Sequence, residues 1–143
     1  MKNPSMILLV AAAAILSISA PCARAQGAVA GPHTVVVKLV MRQDAVPFAF
    51  EPSVVHLQRG DTLEFENAAP VMHNVRFVHT AAGAKLGPAA VAPYLTKPGD
   101  TYTLVIDQRF TDGTYAYVCD PHAMIGMKGT LIVSTTPSVA AGK

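Results

Sequence analysis

Gly113-Thr114-Tyr115-Ala116-Tyr117-Val118-Cys119 runs directly into Asp120-Pro121-His122-Ala123-Met124-Ile125-Gly126-Met127. The first half has the period of a strand, with Tyr115, Tyr117 and Cys119 on one face. A second alternation opens near Lys128 and places Leu131 and Val133 together. The segment Cys119 to Met127 therefore reads as a loop between two strands, at one end of a β layer. It carries a thiol, an imidazole and a thioether.

The rest of the chain repeats the pattern. Val35, Val37 and Leu39 share a face. Leu63 and Phe65 point opposite to Thr62, Glu64 and Glu66, and Tyr102, Leu104 and Ile106 alternate with Thr101, Thr103 and Val105. Turn signals punctuate these runs at Arg59-Gly60-Asp61, Lys97-Pro98-Gly99-Asp100 and Asp112-Gly113. Short strands at this spacing predict an all-β antiparallel sandwich or barrel. The stretch from Ala81 to Pro93, rich in Ala, Gly and Pro, is expected to be a long connection rather than a helix. Arg59-Gly60-Asp61 resembles an adhesion tripeptide, but between two strands it reads as a turn. Gly83 and Gly87 lack the Gly-Lys-Ser/Thr continuation of a phosphate loop.

The ends of the chain are of a different kind. Met6 to Ile18 is apolar apart from Ser17, and Ala23-Arg24-Ala25 is a small-x-small cleavage signal, so residues 1–25 are expected to be a secretory signal peptide. The apolar run, about 13 residues, falls short of the ~20 that a bilayer requires. Residues 26–33 form a lead-in, 34–134 a single domain and 135–143 a small-residue tail. Loss of the signal removes Lys2 and Arg24, so Lys+Arg falls from 11 to 9 against nine Asp+Glu, and the net charge from +2 to 0. With no basic cluster either, nucleic acid is not an expected partner. Cys22 leaves with the signal, and a lone Cys119 in an oxidising compartment is a liability unless something occupies it.

Thiolate, imidazole and thioether together suit copper that cycles between Cu(I) and Cu(II): a thiolate and two imidazoles form a plane, with a weak thioether on its axis. The loop supplies one imidazole, His122. His73 is the best second, because residues 73, 75 and 77 share an otherwise apolar face whose end can reach Cys119. His79 is expected on that same face but ~20 Å away. His56 reads as a surface strand residue and His33 as part of the lead-in. Met127 and Met124 are both candidates for the thioether.

Cys-x2-His-x4-Met with an earlier His73-Asn74-Val75 resembles the plastocyanin, pseudoazurin and amicyanin group of cupredoxins. Phe50-Glu51-Pro52 with Gly60-Asp61-Thr62, and Gly113 to Cys119, are similar to that group's strands. The resemblance implies an eight-stranded Greek-key sandwich, one type 1 copper on His73, Cys119, His122 and Met127, and transient single-electron exchange with a donor and an acceptor protein. The family's spacing favours Met127 as the thioether, with Met124 turned to solvent. Asn74 is similar to the asparagine that ties the two ligand loops together. Asp120 departs from the family's small neutral residue. It is expected to lower the reduction potential, to accept from the Asn74 amide, or both. Pro121, Ala123, Met124 and Ile125 form an apolar collar around His122 where a partner is expected to dock. A monomeric, periplasmic carrier is the expectation. The alternative is a copper chaperone or resistance protein reading Met72, His73, Met124 and Met127 as a thioether-rich site; the thiolate argues against it, because tight binding hinders release. An enzyme is not expected, since a multicopper oxidase needs further copper sites and no hydrolytic residue set stands out.

Overall fold

The period-two runs become strands, and their apolar faces become the core. The computed structural model describes residues 31–134; the expected signal peptide, residues 26–30 of the lead-in and the tail lie outside the described residues. Eight strands follow in order: β1 Thr34–Met41, β2 Phe48–Glu51, β3 Val54–Gln58, β4 Thr62–Asn67, β5 Arg76–His79, β6 Thr101–Val105, β7 Gly113–Val118 and β8 Lys128–Ser134. They form two four-stranded sheets, ordered β2-β1-β4-β6 and β3-β8-β7-β5.

The expected sandwich is present, but it is not wholly antiparallel. β1 pairs parallel with β4, and β3 parallel with β8. The cause is the Greek-key path. The chain leaves the first sheet after β2, passes through Pro52 and Ser53 into β3 of the second, then returns as β4. A strand that re-enters its sheet after such a crossing can run alongside its earlier neighbour.

Val37, Leu39, Phe50, Leu63, Phe65 and Leu104 of one sheet, with Ile106 just past β6, face Val55, Leu57, Phe77, Tyr115, Tyr117, Leu131 and Val133 of the other, all buried. Tyr117 sits at the centre, edge-on to Phe50, Phe65 and Phe77 at centroid distances of 4.9, 5.2 and 5.6 Å. Such T-shaped pairs set the electropositive ring edge against a π face. Its ring lies over Gly129, its cross-strand partner, where an added Cβ would come within 2.3 Å of the ring. Only glycine leaves room for that aromatic packing.

Two local expectations are corrected. His79 does not share the inward face of His73; the register shifts between Phe77 and His79, and His79 is exposed. One extra residue in a ladder re-aims the side chains beyond it. The Ala81–Pro93 connection is long, as expected, but it contains a 3-10 turn at Gly87–Ala90 and buries Ala81, Leu86 and Ala92 against the core.

Candidate metal centre

Three chain segments meet at the end of the sandwich where β4, β5 and β7 place their site-facing ends. The first carries His73. Asn67, on the inward face of β4, donates from Nδ2 to the carbonyls of Val71 (2.9 Å) and Leu95 (3.0 Å) and accepts from the Ala69 amide (2.9 Å). These bonds fold residues 68–72 into a tight connection. His73 then exchanges backbone hydrogen bonds with Leu95, at 3.0 and 2.8 Å.

The second segment is the loop after β7. Asp120–Ile125 winds as a 3-10 helix, so the expected loop has helical form. The His122 amide donates to the Cys119 carbonyl (3.0 Å), the Met127 amide to the His122 carbonyl (3.2 Å) and the Cys119 amide to the Met127 carbonyl (3.3 Å). Gly126, at φ 93°, supplies the left-handed residue that ends the helix and turns the chain into β8. Spacing in sequence thus becomes a closed ring of backbone bonds joining Cys119, His122 and Met127.

The side chains converge. His73 Nδ1 lies 3.4 Å from Cys119 Sγ, Cys119 Sγ 3.3 Å from His122 Nδ1, and the two imidazole nitrogens 3.2 Å apart. The centre of a triangle with these sides is about 1.9 Å from each corner, close to the ~2.0 Å of a transition-metal to nitrogen bond. Among the described residues this is the one grouping of three or more His, Cys, Asp or Glu with metal-binding spacing. Met127 is fully buried beside it in sequence and in backbone hydrogen bonding. The donor set and spacing fit a soft, three-coordinate transition-metal ion.

Electrostatics favour the same reading. Burial, and secondarily the neighbouring His122, lower the His73 pKa to about 4, and burial lowers that of His122. Both rings are therefore neutral at physiological pH, with lone pairs free for a metal. Burial raises the Cys119 thiol, so its thiolate needs a cation for charge balance. His73 Nε2 is buried with no hydrogen-bond partner.

The third segment was not anticipated from sequence. Phe48, entering from β2, lies 4.1 Å centroid to centroid from His122 at 32° and 5.5 Å from His73 at 70°. It walls both imidazoles. Its alternation with buried Phe50 was the available signal. Arg76 was also missed: its Nε donates to Asp120 Oδ1 at 2.5 Å, while Asn74 Nδ2 donates to Oδ2 at 2.8 Å and Asn74 Oδ1 accepts from the Asp120 amide at 2.8 Å. Asn74 thus reaches Asp120 as expected, but the carboxylate is ion-paired rather than merely screened by water. These contacts lower the Asp120 pKa, Asn74 most and Arg76 next.

Around His122, which is half-buried, Pro121 and Ile125 are exposed, Ala123 is half-buried and Met124 is 97% exposed. Met72 and Tyr94 are exposed as well. His56 is exposed in β3. His33 is held by Asp61, which accepts from its amide and ring, at 3.1 and 2.9 Å. Asp61 is 3% exposed, so the Arg59-Gly60-Asp61 tripeptide is a structural turn and its carboxylate is not presented to a partner.

Comparison with known proteins gives consistent matches. Residues 32–134 match the family described as copper binding proteins, plastocyanin/azurin family. A plastocyanin of Scenedesmus fuscus is 39% identical over 99 residues, which cover 68% of this chain and 98% of that one. Among solved structures, a fern plastocyanin variant aligns with a TM-score of 0.55 and 28% identity, over 70% of this chain and 100% of its own. A reduced amicyanin variant aligns at 0.52 and 31%, over 71% and 82%.

Proposed function

We propose that this chain, which belongs to the plastocyanin/azurin family of copper-binding proteins, is a one-electron carrier built around a single type 1 copper. The observation that carries the reading is the triangle of His73 Nδ1, Cys119 Sγ and His122 Nδ1, with sides of 3.2 to 3.4 Å. These three residues would hold the ion, with the buried Met127 as a further, weaker thioether donor. Copper bound there supplies the Cu(I)/Cu(II) change.

The chain's own residues do the rest. Phe48 and the Leu95 bridge hold the imidazoles, and the backbone ring from Cys119 to Met127 fixes the loop. A site held this firmly changes little between oxidation states, which keeps the reorganisation cost of electron transfer small. Burial of His73, Cys119 and Met127 excludes water, while the half-buried His122 leaves one edge near the surface.

Donor and acceptor dock, in this reading, on Pro121, Ala123, Met124 and Ile125 around that edge. Several charges at this end are internally paired, Arg42 with Asp44 and Glu51, and Arg76 with Asp120, while Lys128 next to Met127 is exposed. Docking is therefore mainly apolar and brief, through the exposed Pro121, Met124 and Ile125. The carrier works as an exported, periplasmic monomer and not as an enzyme. The thiolate and the enclosed ligand set weigh against a copper chaperone, whose cargo must leave readily.

Titration of the metal-free protein with Cu(II), followed by visible and EPR spectroscopy, tests this. One equivalent should produce an intense thiolate-to-copper charge-transfer band that reductant bleaches and oxidant restores. Copper uptake without that band, or quick surrender of the metal to a chelator, would overturn the carrier in favour of the chaperone.

A further inference from the structure

The antiparallel register pairs Arg76 of β5 with Val118 of β7. Both point away from the core, so Arg76 lies diagonally from Asp120, two residues beyond Val118 on the same side. Its guanidinium takes Asp120 Oδ1, and Asn74 takes Oδ2. Both oxygens are thus held by the segment that carries His73, while the Asp120 amide returns a bond to Asn74. On its other side the Arg76 backbone is bridged to Val91, which limits where the side chain can start. With Arg76 at 42% and Asp120 at 30% side-chain exposure, the pair adds little to stability. What it changes is the charge beside Cys119 and the freedom of the Asp120 carboxylate.

We propose that Arg76 is a positioning and charge-balancing residue for the metal loop. It holds the Asp120 carboxylate against Asn74 and offsets a negative charge, one residue from Cys119, that would otherwise favour the oxidised metal. Asp120 thus comes with its own counter-ion. The proposal rests on the copper reading above, and two measurements separate the two.

The first is voltammetry of copper-loaded Arg76→Gln, Asp120→Asn and the double variant. Arg76→Gln should raise the preference for Cu(II) about threefold, a fall in midpoint of about 28 mV at ~59 mV per tenfold. The fall should shrink as salt rises. Asp120→Asn should raise the midpoint, and the double variant should return close to the native value. The visible band should stay unchanged throughout. The second measurement needs no metal: exchange of the Asp120 amide hydrogen in the metal-free protein should quicken at least threefold in Arg76→Gln, with Arg76→Lys restoring part of the protection. A midpoint that stays put or rises in Arg76→Gln overturns the proposal, and so does an unchanged exchange rate. Absence of the charge-transfer band in the native protein would refute the copper reading instead, and amide exchange would still decide the role of Arg76.

Discussion

The two ends of the sandwich are built from similar parts and put them to different uses. At the end remote from Cys119, Asp61 accepts from the amides of His33 and Gln58 and from the His33 ring. Arg59 caps the carbonyls of Asp107 and Phe110, and the Tyr115 hydroxyl both accepts from the Thr111 amide and donates to its carbonyl. Each of these polar groups meets its complement within the chain. At the Cys119 end, Asn67, Asn74 and Arg76 play the same tying role, but what they hold in place is a set of donors facing one another. Two imidazoles and a thiol share a space, 3.2 to 3.4 Å apart, in which they cannot all be satisfied by each other. Buried polar groups in a folded chain are normally paired. Three lone-pair-bearing atoms that converge on one point, with too few protons to satisfy one another, make a place suited to a cation.

The largest effect that would sharpen this contrast is at Cys119. Cys119→Ser should abolish the charge-transfer band completely while the metal-free protein keeps its fold by circular dichroism. A variant that kept the band would remove Cys119 from the site. At the other end, Asp61→Ala should do the reverse. Stranding the His33 and Gln58 amides should cost about 2–4 kcal/mol in denaturant unfolding, with the copper spectrum untouched. A shifted spectrum would mean the ends are not independent. Phe48→Leu should speed copper release to a chelator about three- to tenfold, the kinetic equivalent of a lost aromatic contact; unchanged release would reduce Phe48 to filler. The smallest effect is expected at the surface. Met124→Lys should slow transfer to the natural partner about two- to fivefold without altering the band, and unchanged kinetics would move the docking face elsewhere.

Much of this was legible in the residues because alternation is a local property. Val37 and Leu39, Leu63 and Phe65, Leu104 and Ile106, and Tyr115, Tyr117 and Cys119 are buried as their spacing requires. That His73, Cys119 and His122 come together was legible too, since few residue types in the chain suit a soft metal and the apolar face of Val75 and Phe77 points His73 toward Cys119. What local pattern could not carry was register across the crossovers. The parallel pairing of β1 with β4 depends on a path between sheets, and the exposure of His79 on one residue of slip. Arg76 and Phe48 meet the site only once distant strands are aligned, so a charge on Asp120 could be read while its counter-ion could not.

The position of β8 bears on how the molecule comes into being. It is the last strand in the described chain, yet it lies inside its sheet, parallel to β3 on one side and antiparallel to β7 on the other. Until Lys128–Ser134 is available, β3 has no neighbour in that sheet. Until β8 docks, the face of that sheet cannot close over the other half of the core. Pairings that link Val54 to Thr130 make folding a late, long-range event, slower than helix-rich domains of this size achieve. The last described strand therefore acts as the latch that closes the sandwich.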